Sequence, residues 1–398
     1  MNMTAHATTP SSSPPVPVAR PRPLIARLIP LRTAVLLSAF VLLVLYFQVA
    51  SDGFFITSNN AALLIRQTAV VVVVAAGISV LIIMGEFDLS VGSVAFFTSL
   101  IAGKMQMAGF DVASSVLGAM AVGAIIGLIQ GFIITRFSVP AFVVTLGGLL
   151  LWRGLGLTWT NAQAIGPVSD SFTALTEGRM PAVFAVVGAA LAILYGLWAS
   201  ASQYSKLKHS SPTAIDEPIK ILFMSLLVAA TLLWIGHFGR GLPYAALWIA
   251  GIVVLFEFML ARSQFGRRTF LVGSNHEAAM YAGINVKNTV LIGFVMMGTV
   301  CGLAGSMILA RVGTSTPDAG TNLELTAIAA AVIGGVSLRG GIGTIRGAMM
   351  GAFLLANIDN GMSLLGVSSY AQNVVKALIL VFAVGLDSYF TRRQLLGK

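Results

Sequence analysis

The stretch LIIMGEFDLSVGSVAFF, from Leu81 to Phe97, decides how the chain is read. Two strongly apolar runs flank Glu86 and Asp88, two serines and two glycines. A charged side chain deep in a bilayer is expensive and usually has a function. Gly85 loosens a helix, and Asp88 or Ser90 can cap the next one by accepting from its free N–H groups. The segment therefore predicts a broken helix inside a membrane protein. Such breaks are tolerated only where the irregular backbone faces protein or a water-filled cavity.

Composition supports that setting. Of 398 residues, 57% are hydrophobic and only 10% charged, and the mean hydropathy is +0.91. A soluble domain averages about 25% charged residues. Apolar segments fall at roughly 31–50, 61–84, 89–103, 113–134, 139–160, 182–200, 219–238, 244–261, 289–310, 323–337, 345–358 and 370–390. The fold class expected is all-α, a polytopic transmembrane helical bundle of about twelve spans. The runs 89–103 and 323–337 are short enough to be half-helices or re-entrant segments.

The net charge of +10 reads as topology. Arg20, Arg22, Arg27 and Arg32 precede or open the first run, and Lys206, Lys208, Arg262, Arg267, Arg268, Arg392, Arg393 and Lys398 follow later ones. Basic loops stay in the cytoplasm. With both termini inside, parity places Arg136 and the loops 201–218 and 262–288 there as well. Nucleic-acid binding is not implied. Residues 1–30, rich in Ser, Pro and Arg, are expected to form a disordered cytoplasmic tail. Residues 31–390 form the membrane domain, and 391–398 a cytoplasmic C-terminal tail.

Small residues recur at helical spacing. Gly123, Gly127 and Gly131 share a face, and GTIRGAMMG repeats the pattern with Gly343, Gly347 and Gly351. Such stripes mark close helix contacts, here expected within one subunit. MGEFDLSVGS has a faint echo in IGGVSLRGGI, aligning Gly85 with Gly334, which raises an internal repeat.

Catalytic signatures are missing. The chain has no G-x-x-x-x-G-K-[ST] loop, and HEAAM at His276 lacks the second histidine of a zinc-protease motif. No metal, cofactor or catalytic residue is expected, and Cys301, the single cysteine, is expected to be buried packing.

The polar stretch from Ala261 to Asn288 reads as a short capped helix: Asn275 as N-cap, Glu277 at the positive N-terminus and Gly283 as the stop. Held between two spans, it suits a docking surface.

Here the sequence resembles the permease subunit of bacterial monosaccharide ABC importers, the group of the ribose and xylose permeases. The resemblance runs from about Phe54 to Asp387. It is carried by GEFDLSVGS, VPAFVVTLGGLLLWRG, FGRRTFLVGSNHEAAMYAGINV, ELTAIAAAVIGGVSL and DNGMSLLGVSSYAQNVVKALILVFAV. The resemblance implies an inner-membrane protein that acts as a homodimer with a separate ABC ATPase and a periplasmic sugar-binding protein. It also implies that the 262–288 loop docks on the ATPase through Asn275, Glu277, Ala278, Ala279 and Gly283.

Glu86 before FDLSVGS, and a pair of spans within 182–238 that compact members lack, resemble the xylose-type branch. Phe87 and Arg339 depart from the family pattern. Ribose, galactose, a nucleoside or another small polar solute stays open as substrate, and a stand-alone channel or ion-coupled carrier is the rival class.

Glu86, Asp88 and Ser90 are candidates for a gate or a structural cap, with the cap favoured because a neutral sugar needs no carboxylate to cross. Asn161, Gln163, Asp359 and Asn360, on the expected outer side, are candidates either for hydrogen-bonding a sugar in the pathway or for contacting a periplasmic binding protein. Arg311, Asp318 and Glu324 lie on the same expected outer side and could meet the binding protein.

Overall fold

The computed structural model describes residues 31–207, 216–238 and 241–396. The expected tail over 1–30 and the turn of the 182–238 hairpin lie outside these residues. Among the described residues are fifteen helices and one short ribbon.

The helices are α1 (Leu31–Ala50), α2 (Ser58–Met84), α3 (Val91–Met107), α4 (Val112–Phe137), α5 (Ala141–Thr160), α6 (Asp170–Glu177), α7 (Ala182–Leu207) and α8 (Asp216–Phe238). They continue with α9 (Ala245–Arg262), α10 (Gln264–Ser274), α11 (His276–Tyr281), α12 (Val286–Val312), α13 (Leu323–Ile333), α14 (Ile345–Leu364) and α15 (Ser369–Leu396). The ribbon pairs β1 (Arg179–Met180) with β2 (Leu242–Pro243), antiparallel, with Arg179 opposite Pro243.

Burial follows hydropathy around each helix. α2 is apolar on every side and is buried almost throughout its second half, as a helix with no polar face must be. It forms the axis of the bundle together with α12, against which it packs. α4, α5, α7 and α9 instead leave rows of Leu, Val and Phe exposed, among them Leu150, Leu155, Leu191 and Phe258. Outward apolar faces of that extent suit lipid, not water.

Every apolar segment of the sequence falls on a helix, but the segments are unequal. Six described helices have the length and composition of a full span: α2, α4, α5, α7, α9 and α12. α13 has only 11 residues. At 1.5 Å per residue it covers about 16 Å, roughly half of a hydrocarbon core. That is the length of a half-helix, as the shortness of the 323–337 run suggests, and the described residues form a polytopic bundle of six span-length helices and shorter pieces. α6 was not expected. Ser169 caps it, its Oγ accepting from Phe172 N at 3.3 Å, and the Trp248 indole N–H donates to Leu175 O at 2.9 Å.

The glycine stripes close contacts within the chain. A Cβ on Gly127 would meet Phe294 O, and one on Gly131 would come within 3.0 Å of Leu291 and Phe294. α4 and α12 therefore run antiparallel, and Arg136 lies at the same end as the 262–288 segment. In the second stripe Gly347 and Gly351 pack on Gly334 and Ala330 of the α13 end. Gly343 precedes α14 and rests on Ile83 and Val336 instead.

α7 and α8 pack chiefly on each other, and the ribbon ties the start of α7 to the chain just after α8. Both ends of this hairpin thus lie together. At the C-terminus α15 continues to Leu396, through most of the expected 391–398 tail.

Candidate functional site

The break between α2 and α3 lies where the sequence places it. Gly85, at φ 85°, ends α2 in a left-handed turn. Its N–H bonds to Ile82 O and that of Glu86 to Leu81 O, both at 2.9 Å, the paired closure of a Schellman motif.

Asp88 is 3% exposed, and its Oδ1 accepts from Ser90 N at 2.8 Å and from Ser90 Oγ at 2.6 Å. The carboxylate shapes the turn that starts α3 and does not reach the later N–H groups, so it is a brace of the helix start, one step removed from a true N-cap. Ser90 in turn accepts from Gln130 Nε2 of α4 at 2.9 Å. Glu86 is half-buried beside this chain.

The start of the half-helix α13 meets the start of α3. The Glu324 carboxylate, in the first turn of α13, sits on the backbone N–H of Gly92 in α3, and a Cβ on Gly92 would strike it. Glu324 therefore complements two positive helix ends at once. It is 8% exposed and turned inward, which removes it from the outer surface expected for a binding-protein contact. Arg153 of α5 pins the loop before α13, donating through Nη1 to Pro317 O at 3.0 Å and Ala319 O at 2.9 Å. Its guanidinium also lies 4.6 Å from the Phe96 ring centre.

The polar segment after α9 forms two helices, not one. Asn275 Oδ1 caps α11, accepting from Ala278 N at 2.9 Å, and Gly283, at φ 78°, stops it. Asn275, Glu277, Ala278 and Gly283 are exposed, and Ala279 is buried under them. Leu271, Met280 and Tyr281 add exposed apolar surface.

Behind that surface α10 abuts the break. A Cβ on Gly273 would strike Ile83 O, and Ile83 O accepts from Gly341 N at 2.8 Å. The C-terminal end of α10, the end of α2 and the turn after α13 are thus in backbone contact.

At the opposite end the candidates separate. Asn161 ends α5 in a left-handed turn and is exposed, as is Gln163. Asn360 is buried in a reciprocal amide pair with Asn60, at 2.8 and 2.9 Å, that joins α14 to α2. Asp359 Oδ2 pairs with Lys376 Nζ at 2.8 Å and lines a cavity of about 370 Å³ among α2, α12, α13, α14 and α15.

Sequence reasoning had not singled out Gln130, Arg153, Gln67 or Lys376. For the first three the available signal was a polar residue inside an apolar run.

A multi-pass helical bundle, apolar outside, with a half-helix and a helix break meeting at a buried polar chain, suits a membrane permease. The chain belongs to the family described as the branched-chain amino acid transport system permease component, which matches residues 60–384. The xylose transport system permease protein of Haemophilus influenzae is 34% identical over 365 residues, covering 90% of this chain and 96% of that protein. The ribose import permease protein of Escherichia coli K12 is 33% identical over 318 residues, covering 79% and 81%. The L-arabinose ABC transporter permease protein of Azospirillum brasilense is 29% identical over 315 residues, covering 79% and 76%. No solved structure matches the chain.

Proposed function

We propose that this chain is the permease subunit of an ATP-driven importer for a pentose, D-xylose. The supporting observation is coverage: the similarity to the xylose permease spans 90% of the chain, against 79% for the ribose and arabinose permeases. Glu86, in the xylose-type position, points the same way.

Two copies would form the pathway. The exposed surface of α10 and α11 would dock a separate ABC ATPase, and the backbone contact of Gly273 with Ile83 would carry its movement to the α2–α3 break. A periplasmic sugar-binding protein would deliver the substrate at the other end. The basic end of the bundle, with both termini, would face the cytoplasm of a bacterial inner membrane.

The test is uptake by proteoliposomes holding the permease, its ATPase and its binding protein. ATP-dependent accumulation of D-xylose ahead of ribose and arabinose is expected. Preference for ribose would replace the sugar, and uptake without ATP would replace the class.

A further inference from the structure

The polar cavity at the end opposite α10 and α11 has no structural role in the packing described above. Gln67 of α2, Arg311 of α12, Thr326 of α13, Asp359 of α14, and Gln372 and Lys376 of α15 line it. It opens among the helix ends, at Val312, Thr321 and Ser363, and reaches inward from them. At 1.5 Å per residue, Gln67 is about 14 Å into α2, Asp359 about 8 Å from the end of α14 and Lys376 about 10 Å into α15. Its volume, about 370 Å³, falls at the lower end of the range for small-molecule sites.

Polar groups at that depth need partners, and here their hydrogen-bonding capacity is incompletely used. Asp359 gives one oxygen to Lys376, while the other, Oδ1, is buried and has no hydrogen-bond partner. The Gln67 side-chain amide makes no hydrogen bond among the described residues, although it lines the cavity. Gln372 is already engaged, donating to Val367 O at 2.9 Å and to Ser363 Oγ at 3.2 Å.

Charge in the lining is mixed. Lys376 faces Asp359, while Arg311 is a second cation of the lining, since the Glu177 carboxylate outside it is paired with Arg66 at 3.1 Å. A bare anion meets Asp359, and a bare cation meets Arg311 and Lys376. A neutral ring bearing several hydroxyls can use the donors and the acceptors together.

We propose that this cavity is a binding site for a neutral sugar ring on the permease itself, with Asp359 and Gln67 hydrogen-bonding the ring hydroxyls. The choice of a pentose rests on the function proposed above; the site rests on the cavity.

Saturation-transfer NMR with D-xylose and the full chain in lipid nanodiscs, without binding protein or ATPase, tests it. Wild-type protein should transfer saturation to the sugar. Asp359→Asn and Gln67→Leu should each weaken binding about tenfold, the loss of one good hydrogen bond. Gln67→Leu breaks no bond within the protein, so it keeps the test open if Asp359→Asn disturbs the Lys376 pair. Unchanged binding in a folded Gln67→Leu variant would overturn the site. So would displacement of the sugar by inorganic phosphate at equal concentration, which would mark an anion site.

Uptake by the complete reconstituted complex separates this proposal from the one above. Normal D-xylose uptake by both variants, with unchanged binding, overturns the cavity alone. No xylose uptake by wild type, with binding of another pentose that both variants weaken, supports the cavity and overturns the choice of sugar.

Discussion

Gly123 of α4 and Gly298 of α12 face each other so closely that a Cβ on either would strike the carbonyl oxygen of the other. Neither backbone can yield without moving its helix, and α12 is one of the two axial helices. Gly298→Ala should therefore destabilise the fold by about 1–3 kcal/mol, the usual range for overpacking. Gly147→Ala and Gly154→Ala should be near neutral, because nothing lies within 4 Å of a Cβ at either position. Thermal unfolding in detergent compares the three. Equal melting temperatures would mean that the α4–α12 contact is looser than described.

Asp88 separates a structural brace from a gating charge. Its two bonds from Ser90 need an acceptor oxygen, which asparagine keeps and leucine lacks. Asp88→Leu should leave a buried N–H unpaired at a cost of about 1–3 kcal/mol, with loss of transport. Asp88→Asn should keep most of both stability and transport. Equal loss of uptake in the two variants, at matched expression, would show that the charge itself acts.

Much of this centre could be read in the chain order. Gly85, Asp88 and Ser90 lie next to one another, and the local rules for helix ends and starts apply without knowledge of the fold. The same holds for Asn275 and Gly283 at the two ends of α11. The partners of those residues were not legible in the same way. Gln130 is 40 residues from Ser90, and Glu324 is 232 positions beyond Gly92; only the packing of α4 and α13 brings them in.

The internal echo shows the same limit. The turn that matches Gly85 is made by Gly335, at φ 96°, one residue past the Gly334 that sequence alignment selects. Val336 N to Ala331 O completes it, as Glu86 N to Leu81 O does after α2. Both helices end in the same left-handed glycine turn, a common helix stop that does not by itself make the two segments repeats.

Coupling is open to a three-way comparison. Glu277→Ala removes an exposed carboxylate from the start of α11, Gly283→Val opposes a left-handed stop, and Gly273→Ala pushes α10 away from Ile83. Gly283→Val should cost about 1 kcal/mol locally. The first two should weaken assembly with the ATPase, whereas Gly273→Ala should allow assembly and lower uptake per ATP hydrolysed. Normal assembly and uptake in all three would remove the coupling role from this segment.

The isolated chain should not bind ATP, since it carries no phosphate-cradling loop. Equilibrium dialysis with labelled nucleotide, on protein free of its ATPase, checks this. Saturable binding would conflict with a division of labour between permease and ATPase.

The last prediction concerns α7 and α8. They pack on each other along a tight seam, where a Cβ on Gly236 would strike Ala185 and one on Gly196 would strike Ser225. Their outer faces expose Val187, Leu191, Leu194, Trp198, Phe223 and Leu227. The β1–β2 ribbon holds both ends of the hairpin at one place, so the pair can be added without inverting any later segment. The cavity residues come from α2, α12, α13, α14 and α15, and none from α7 or α8. An apolar outer face and no share in the polar lining are what a hairpin against lipid, outside the pathway, would show. Single cysteines along both helices, in a Cys301→Ala background, should react slowly with water-soluble thiol reagents, and added sugar should give no protection. A stripe of sugar-protected positions on either helix would put the hairpin in the pathway, and the transport core would then have to include it.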